Sequence, residues 1–235
     1  MPKRRVIITN TIICSVLLVL GFLVSTINVN QTYLSVAAPL SNGNRDHHQV
    51  ALMFIIDDPA LASNLTSILA TLDRAESKAT FFFTGAAAIN NLELLQQLAT
   101  KHEFGNYGFS NTVLNVADKN FISEEIRLGD LLINSLIHTP MQVFTPPKGL
   151  FNKHTLAMAS ALGYTTVLPT DRNAVIDWDT ADSNLVLSYA TYNVQGGDII
   201  ALKPTTATMQ CFAQVAANYL TNGLTITSLG QLLGL

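Results

Sequence analysis

The sequence predicts an α/β domain in which helices cover a mainly parallel sheet that is closed, or nearly closed, as a barrel. Short apolar segments alternate along the chain with segments that carry apolar residues at helical spacing. The first apolar segment, residues 50–56, is apolar throughout, which is typical of a parallel strand buried on both faces.

The remaining elements follow in the same alternating order. Strands are predicted at 79–83, 104–106, 143–144, 165–168, 198–202 and 224–227, and helices at 63–75, 91–101, 123–137, 153–162, 208–220 and 228–233. Ser123, followed by two glutamates and an apolar stripe, predicts a capping box at the start of the third helix. Gly163 predicts the end of the fourth.

The N-terminus carries a targeting segment. Lys3, Arg4 and Arg5 precede residues 6–27, which contain no charged residue, as in a signal peptide or a membrane anchor. We favour an uncleaved signal anchor at 1–28, a polar linker at 29–49 and one domain at 50–235. The basic cluster predicts a single-pass membrane protein with its domain exported, or a secreted protein if the segment is cleaved.

Charge and cysteine content exclude several classes of protein. Charged residues make up 12% of the 235 residues, against roughly 25% in an ordinary soluble domain. All 16 acidic residues and 10 of the 13 basic ones follow the targeting segment, which leaves this part with a formal charge of −6. This balance argues against a nucleic-acid partner. Cys211 is the single cysteine after the segment, so an intradomain disulfide is excluded.

Two adjacent carboxylates, Asp57 and Asp58, follow the first predicted strand. Because α/β folds place their chemistry at the carboxyl ends of strands, the pair indicates a candidate active site. Asp-Asp-Pro is also an ordinary turn sequence. The residues alone leave both interpretations open.

Several segments together resemble the polysaccharide deacetylases of the NodB-homology type, over roughly residues 50–235. The family's Phe-Asp-Asp-Gly-Pro is similar to Ile-Asp-Asp-Pro-Ala at 56–60, and its second-strand signature to KATFFFTG at 78–85. Its H-E-I-G-N-H-x-x-S-H, F-R-P-P-Y-G and G-D-I-I-L-L-H-D-T resemble HEFGNYGFSN at 102–111, FTPPKG at 144–149 and GDIIALKPT at 197–205.

The resemblance implies a distorted (β/α) barrel that removes acetyl groups from a glycan such as chitin or peptidoglycan. In the family one aspartate acts as base, and the other binds a divalent metal such as zinc together with two histidines. A late histidine protonates the leaving amine.

This chain departs from the family at the residues that perform the chemistry. Asp57 keeps the base position and Asp58 the first metal position. Tyr107 and Asn111 stand where the family has its two histidine ligands. Thr145 replaces the family's arginine, which fixes the base, and Lys148 replaces the tyrosine of the same F-R-P-P-Y-G segment. Lys203 replaces the late histidine. We call these positions the cleft residues. A phenol that ionises near pH 10 and a neutral amide are poor zinc ligands, so no metal or other cofactor is expected.

The loss of a dication beside two aspartates leaves negative charge without compensation. Lys148 and Lys203 are the new cations at the cleft positions. We therefore expect at least one ammonium to lie against Asp57 or Asp58 in place of the metal. The alternative is that both are ordinary surface lysines.

Three functions remain open. The leading hypothesis is a membrane-anchored, catalytically degenerate protein that binds cell-envelope polysaccharide, with Tyr107 and Trp178 as candidate sugar-stacking faces; Trp178 alternatively packs in the shell of the domain. The second is a working hydrolase of acetylated glycan, with Asp57 as base and a weakly bound or absent metal. The third is an envelope scaffold that binds a protein partner.

Overall fold

A computed structural model describes residues 38–171 and 180–235 of the chain. The predicted anchor at 6–27, residues 29–37 of the predicted linker and Trp178 lie outside the described residues. Within the described ranges, no helix is both long enough and apolar enough to cross a membrane.

The strands of the described residues form a seven-stranded parallel sheet with the order β5-β4-β3-β2-β1-β6, and β7 also pairs with β1. They are β1 Gln49–Ile56, β2 Thr80–Phe83, β3 Glu103–Asn106, β4 Val143–Phe144, β5 Thr165–Thr166, β6 Ile199–Leu202 and β7 Thr225–Thr227. These seven strands pair in parallel throughout, so their carboxyl ends meet at one edge of the sheet.

Helices follow most of the strands and cover the sheet. They are α1 Leu65–Arg74, α2 Gly85–Asn90, α3 Leu92–Ala99, α4 Lys119–Ile137, α5 Lys153–Ala161, α6 Ser183–Thr191, α7 Thr206–Thr221 and α8 Leu229–Leu233. Short 3₁₀ turns occupy Pro59–Asn64 and Pro147–Gly149.

The central strand β1 is buried on both faces, as its apolar sequence predicted. Its alternate residues Leu52 and Phe54 belong to the larger core cluster, beneath the helices, while Met53 belongs to a second cluster on the other face. Phe54 stacks on Phe81 with ring centroids 5.3 Å apart and meets Phe212 of α7 edge-on at 5.6 Å. The helices are thereby fixed against the strand that leads into the candidate site.

The sheet curls, and within residues 38–171 and 180–235 it is not closed by paired strands. There β5 and β6 do not pair with each other, and the segment 40–42 bridges both sides of the gap between them. Leu40 pairs with Val167 beside β5, and Asn42 pairs with Asp198 beside β6. Where the sequence predicted a closed or nearly closed barrel, the described residues form an open, curled half-barrel, and residues 40–42 of the predicted linker lie against the gap between β5 and β6.

An ion pair fastens the same segment. The guanidinium of Arg45 binds the buried carboxylate of Asp198 and also donates to the carbonyl of Gly196 at 3.2 Å. A Cβ on Gly196 would lie 2.1 Å from the carbonyl oxygen of His47. The close backbone approach explains the glycine at this position.

One predicted helix starts at a different residue, and two of the observed helices were not predicted. Helix α4 begins at Lys119, capped by the Asp118 carboxylate, which accepts the N–H groups of Asn120 and Phe121. The predicted capping residue, Ser123, lies inside this helix. Helices α2 and α6 had no counterpart in the sequence prediction. Helix α2 is short and rich in alanine, and α6 has its apolar Leu185 exposed, which obscures the helical period.

Candidate functional site

Four strands deliver the cleft residues to the carboxyl edge of the sheet. Asp57 directly follows β1, Tyr107 follows β3, Thr145 follows β4 and Lys203 follows β6. Strands β6 and β1 are paired in register up to Phe54 and Leu202, so the residues just beyond them share one end of the sheet. The topology therefore assembles residues that are far apart in the sequence.

Asp57 is the centre of this arrangement. Its Oδ2 lies 2.8 Å from the Lys203 ammonium and also accepts a hydrogen bond of 3.2 Å from the Asn111 amide nitrogen. Only 8% of the Asp57 side chain and 16% of the Lys203 side chain are exposed. The expectation that a lysine ammonium lies against one of the two aspartates is confirmed for Lys203 and Asp57.

Asn111 reaches Asp57 from a strained position in the loop after β3. Its φ is 62°, in the left-handed region, which asparagine tolerates better than most side chains do. Its side-chain oxygen is buried and has no hydrogen-bond partner within the described part of the chain. A buried acceptor without a partner costs about 1–3 kcal/mol, so the rest of the loop must hold this conformation.

Glu125 of α4 is the residue that holds the loop. Its buried carboxylate accepts the backbone N–H groups of Phe109, at 3.1 Å, and Ser110, at 2.9 Å. Sequence reasoning missed this role. The feature of the sequence that could have indicated this role is that Glu125 falls on the apolar face of an amphipathic helix. A carboxylate buried there needs hydrogen-bond donors as partners.

Asn106, the last residue of β3, fixes the start of the same loop. Its Oδ1 accepts the N–H of Gly108 at 2.8 Å, and its amide nitrogen donates to the carbonyl of Ile126 at 2.8 Å. A Cβ on Gly129 of α4 would lie 2.8 Å from that Oδ1 and equally close to the carbonyl oxygen of Gly108. The glycine thus allows α4 to approach the loop.

Tyr107 is a buried, neutral phenol. Burial raises its pKa to about 12; the N–H of Lys148 acts against the rise, and the negative charge of Asp57 adds to it. The hydroxyl accepts that N–H at 3.3 Å. At neutral pH Tyr107 therefore keeps its proton and has a hydrogen to donate.

In the part of the chain that the structure describes, Asp58, Thr145 and Lys148 make no hydrogen bond or ion pair with the Asp57 carboxylate. Asp58 is exposed, and its Oδ1 caps the 3₁₀ turn by accepting the N–H of Ala60 at 2.8 Å. Thr145 is buried and donates its backbone N–H to Asn106 at 3.0 Å. Lys148 is exposed in a turn, with a φ of 57°. Asp58 thus makes the contact expected of a turn residue, whereas the Asp57 side chain is shielded from solvent and paired with Lys203.

These residues do not fit a transition metal. Oδ2 of Asp57 already accepts two donors, one of them a cation, and Tyr107 is protonated. Asn111 presents its nitrogen to Asp57, opposite to the oxygen that a metal ligand would offer. Among the described residues no group of three or more His, Cys, Asp or Glu side chains could hold a metal ion.

A curled parallel sheet with Asp57 at its carboxyl edge is consistent with the NodB type of α/β fold. The sequence profile described as polysaccharide deacetylase matches residues 42–167, more than half of the chain. The chain belongs to the polysaccharide deacetylase family.

Two curated relatives come from Bacillus. The uncharacterized protein YlxY of Bacillus subtilis is 26% identical over 196 residues, which cover 83% of this chain but only 60% of YlxY. The peptidoglycan-N-acetylglucosamine deacetylase of Bacillus cereus is 25% identical over 154 residues, covering 65% of this chain and 71% of the relative.

Among solved structures, BA3943 of Bacillus anthracis, a CE4 family pseudoenzyme, matches with a TM-score of 0.76. The two chains are 21% identical, and the match covers 83% of this chain and 68% of BA3943. A BA3943 mutant with restored enzymatic activity gives the same score. At this identity the likeness establishes the fold.

Proposed function

We propose that this chain is a catalytically degenerate member of its family that binds cell-envelope glycan in the cleft without hydrolysing it. The observation that carries the proposal is the convergence of Lys203 and Asn111 on one oxygen of Asp57. A general base must accept a proton from water, and this oxygen is already engaged by two donors.

The loss of acid catalysis supports the same conclusion. Lys203 stands where the family resemblance implies a histidine that protonates the leaving amine. That position carries an ammonium held in an ion pair with Asp57, in place of the imidazole that the step uses. Thr145, which replaces the arginine, is buried and offers no charge to the cleft.

The framework of the cleft supports retained binding. Glu125 and Asn106 are buried polar residues whose hydrogen bonds fix the loop that carries Tyr107 and Asn111. Hydrogen-bonded cores of this kind rigidify a site. Tyr107 is buried, so its ring is not the sugar-stacking face that the sequence suggested. The exposed Asp58 carboxylate is the group that we expect to bind sugar hydroxyls.

Location at the envelope is part of the proposal and comes from the sequence. Lys3–Arg5 and the uncharged residues 6–27 would anchor the chain in the cell membrane, with the domain exported. The name of the Bacillus cereus relative supports peptidoglycan as the glycan. The description of BA3943 as a pseudoenzyme supports the loss of activity.

A working hydrolase is the second candidate, because Asp57 still occupies the base position that the family resemblance implies. Two assays on the full-length chain in detergent separate the candidates: acetate release from N-acetylated peptidoglycan, with and without zinc or cobalt, and co-sedimentation with insoluble peptidoglycan. The Bacillus cereus deacetylase serves as the positive control for acetate release.

The proposal predicts co-sedimentation and no acetate release under either metal condition. Acetate release that Asp57→Asn abolishes would establish the hydrolase instead. Absence of both acetate release and glycan retention would favour the envelope scaffold.

A further inference from the structure

We propose that the Lys203 ammonium is the built-in counter-cation of the cleft, so that the cleft keeps its structure without metal and opposes the binding of a divalent cation. The proposal goes beyond the loss of hydrolysis, because it concerns what replaced the metal. It does not depend on whether the cleft binds glycan.

The charges of the two adjacent aspartates and Lys203, taken within the described part of the chain, show why one ammonium matches Asp57. Of the two adjacent aspartates, only Asp57 is shielded from solvent, while Asp58 is exposed and hydrated. A shielded carboxylate needs a partner, whereas an exposed one does not. Lys203 supplies one positive charge at 2.8 Å, which balances Asp57.

The backbone on either side holds Lys203 in place. Lys203 follows β6 directly. Its backbone carbonyl accepts, at 2.8 Å, the N–H of Thr205, the residue that caps α7. The carbonyl of the next residue, Pro204, accepts the amide of Asn64 at 2.9 Å. The ammonium is therefore presented by a segment fixed between a buried strand and a helix, unlike a surface lysine on a mobile stem.

Asn111 is oriented to serve the same carboxylate. It donates its amide nitrogen to the oxygen of Asp57 that Lys203 contacts, and its own oxygen is buried without a partner within the described residues. An amide that served a metal would turn its oxygen inward. Its orientation thus matches an ammonium–carboxylate pair and opposes a metal site.

Lys148 provides the matched control for Lys203. It is a lysine at another cleft position, but it is exposed, and its recorded cleft contact is made by its backbone N–H. If the Lys203 charge specifically opposes zinc binding, Lys203→Met should change the zinc affinity and Lys148→Met should not.

The first test measures zinc binding to the full-length chain by equilibrium dialysis. The variant Tyr107→His/Asn111→His restores the two histidine ligands implied by the family, and it is compared with the same variant carrying Lys203→Met or Lys148→Met. Because a nearby like charge opposes cation binding, Lys203→Met is expected to tighten zinc binding at least about tenfold. Lys148→Met should leave it unchanged within about twofold.

Equal zinc affinity in the Lys203→Met and Lys148→Met backgrounds would overturn the proposal. The second test needs no new ligands and applies even if the histidine variants fail to fold. The unchanged chain should show the same Tm with EDTA and with zinc, and Lys203→Met should lower the Tm more than Lys148→Met does. A Tm that falls on adding EDTA, with about one zinc per purified chain, would contradict a built-in cation.

These outcomes are independent of the glycan assays. Failure to retain glycan would leave the metal result standing, and bound zinc would not by itself restore hydrolysis.

Discussion

The amide nitrogen of Asn111 lies 3.2 Å from Asp57 Oδ2, across 54 positions of sequence. The contact depends on a left-handed backbone at Asn111 and on a loop fixed from outside by α4. A position at which the family places a metal ligand has become a hydrogen-bond donor to the neighbouring carboxylate. This relationship makes the loop after β3 the first place to test the account.

Replacing Glu125 with glutamine should loosen that loop. The change removes the charge that receives the N–H groups of Phe109 and Ser110, and it places an amide donor in a buried site with two donors already present. We expect the free energy of unfolding to fall by about 1–3 kcal/mol, measured by urea denaturation. The exposed neighbour on the same helix, Glu124→Gln, is the control and should change it by less than about 0.5 kcal/mol. Equal effects of the two variants would refute the role given to Glu125.

The phenol of Tyr107 should make stability fall at alkaline pH. Burial raises its pKa to about 12, while the phenol of an unfolded chain ionises near pH 10. Below pH 10 the Tyr107 phenol is protonated in both the folded and the unfolded state, so its full contribution to the free energy of unfolding is present. Between about pH 10 and 12 the unfolded state loses its proton first, so stability declines by about 2–3 kcal/mol across this window.

Urea denaturation across that pH range checks the Tyr107 prediction. Tyr107→Phe should remove this part of the decline, while Tyr192→Phe, at an exposed position, should retain it. A Tyr107→Phe profile parallel to that of the unchanged chain would show that the phenol ionises equally in both states.

The ion pair of Arg45 tests whether the segment 40–48 belongs to the domain. Arg45→Met leaves the Asp198 carboxylate, which is 2% exposed, without its cation. Because Arg45 itself is 44% exposed, we expect a loss of about 1–3 kcal/mol in the free energy of unfolding, less than for a fully buried pair. Arg74→Met, at another surface arginine, is the control. If both variants unfold at the same urea concentration, the segment does not stabilise the fold.

Much of the sheet was predictable because its strands are continuous apolar runs. Segments such as 50–56 and 79–83 were placed within one residue of β1 and β2, since a strand buried on both faces leaves no polar position to confuse the pattern. Helix starts were less predictable. Ser123 with its glutamates imitates a capping box, and nothing local distinguishes it from the true cap at Asp118.

The sequence indicated which residues occupy the cleft positions, but not which hydrogen bonds and ion pairs they form. The family resemblance identified Asp57, Tyr107, Asn111 and Lys203, and the charge argument identified the need for a cation. The choice of Lys203 over Lys148 depends on where β6 ends relative to β1, which is a long-range property of the sheet. The supporting contacts of Glu125 and Asn106 depend on how α4 packs on the loop, which no local pattern encodes.

The central claim is that Lys203 and Asp57 form one charge-balanced unit, and a double-mutant cycle measures this most directly. The free energy of unfolding is compared for the unchanged chain, Asp57→Asn, Lys203→Met and the double variant. We expect a coupling of about 1–3 kcal/mol, with the double variant more stable than the sum of the single changes implies. Additive changes, with coupling within about 0.3 kcal/mol of zero, would contradict it.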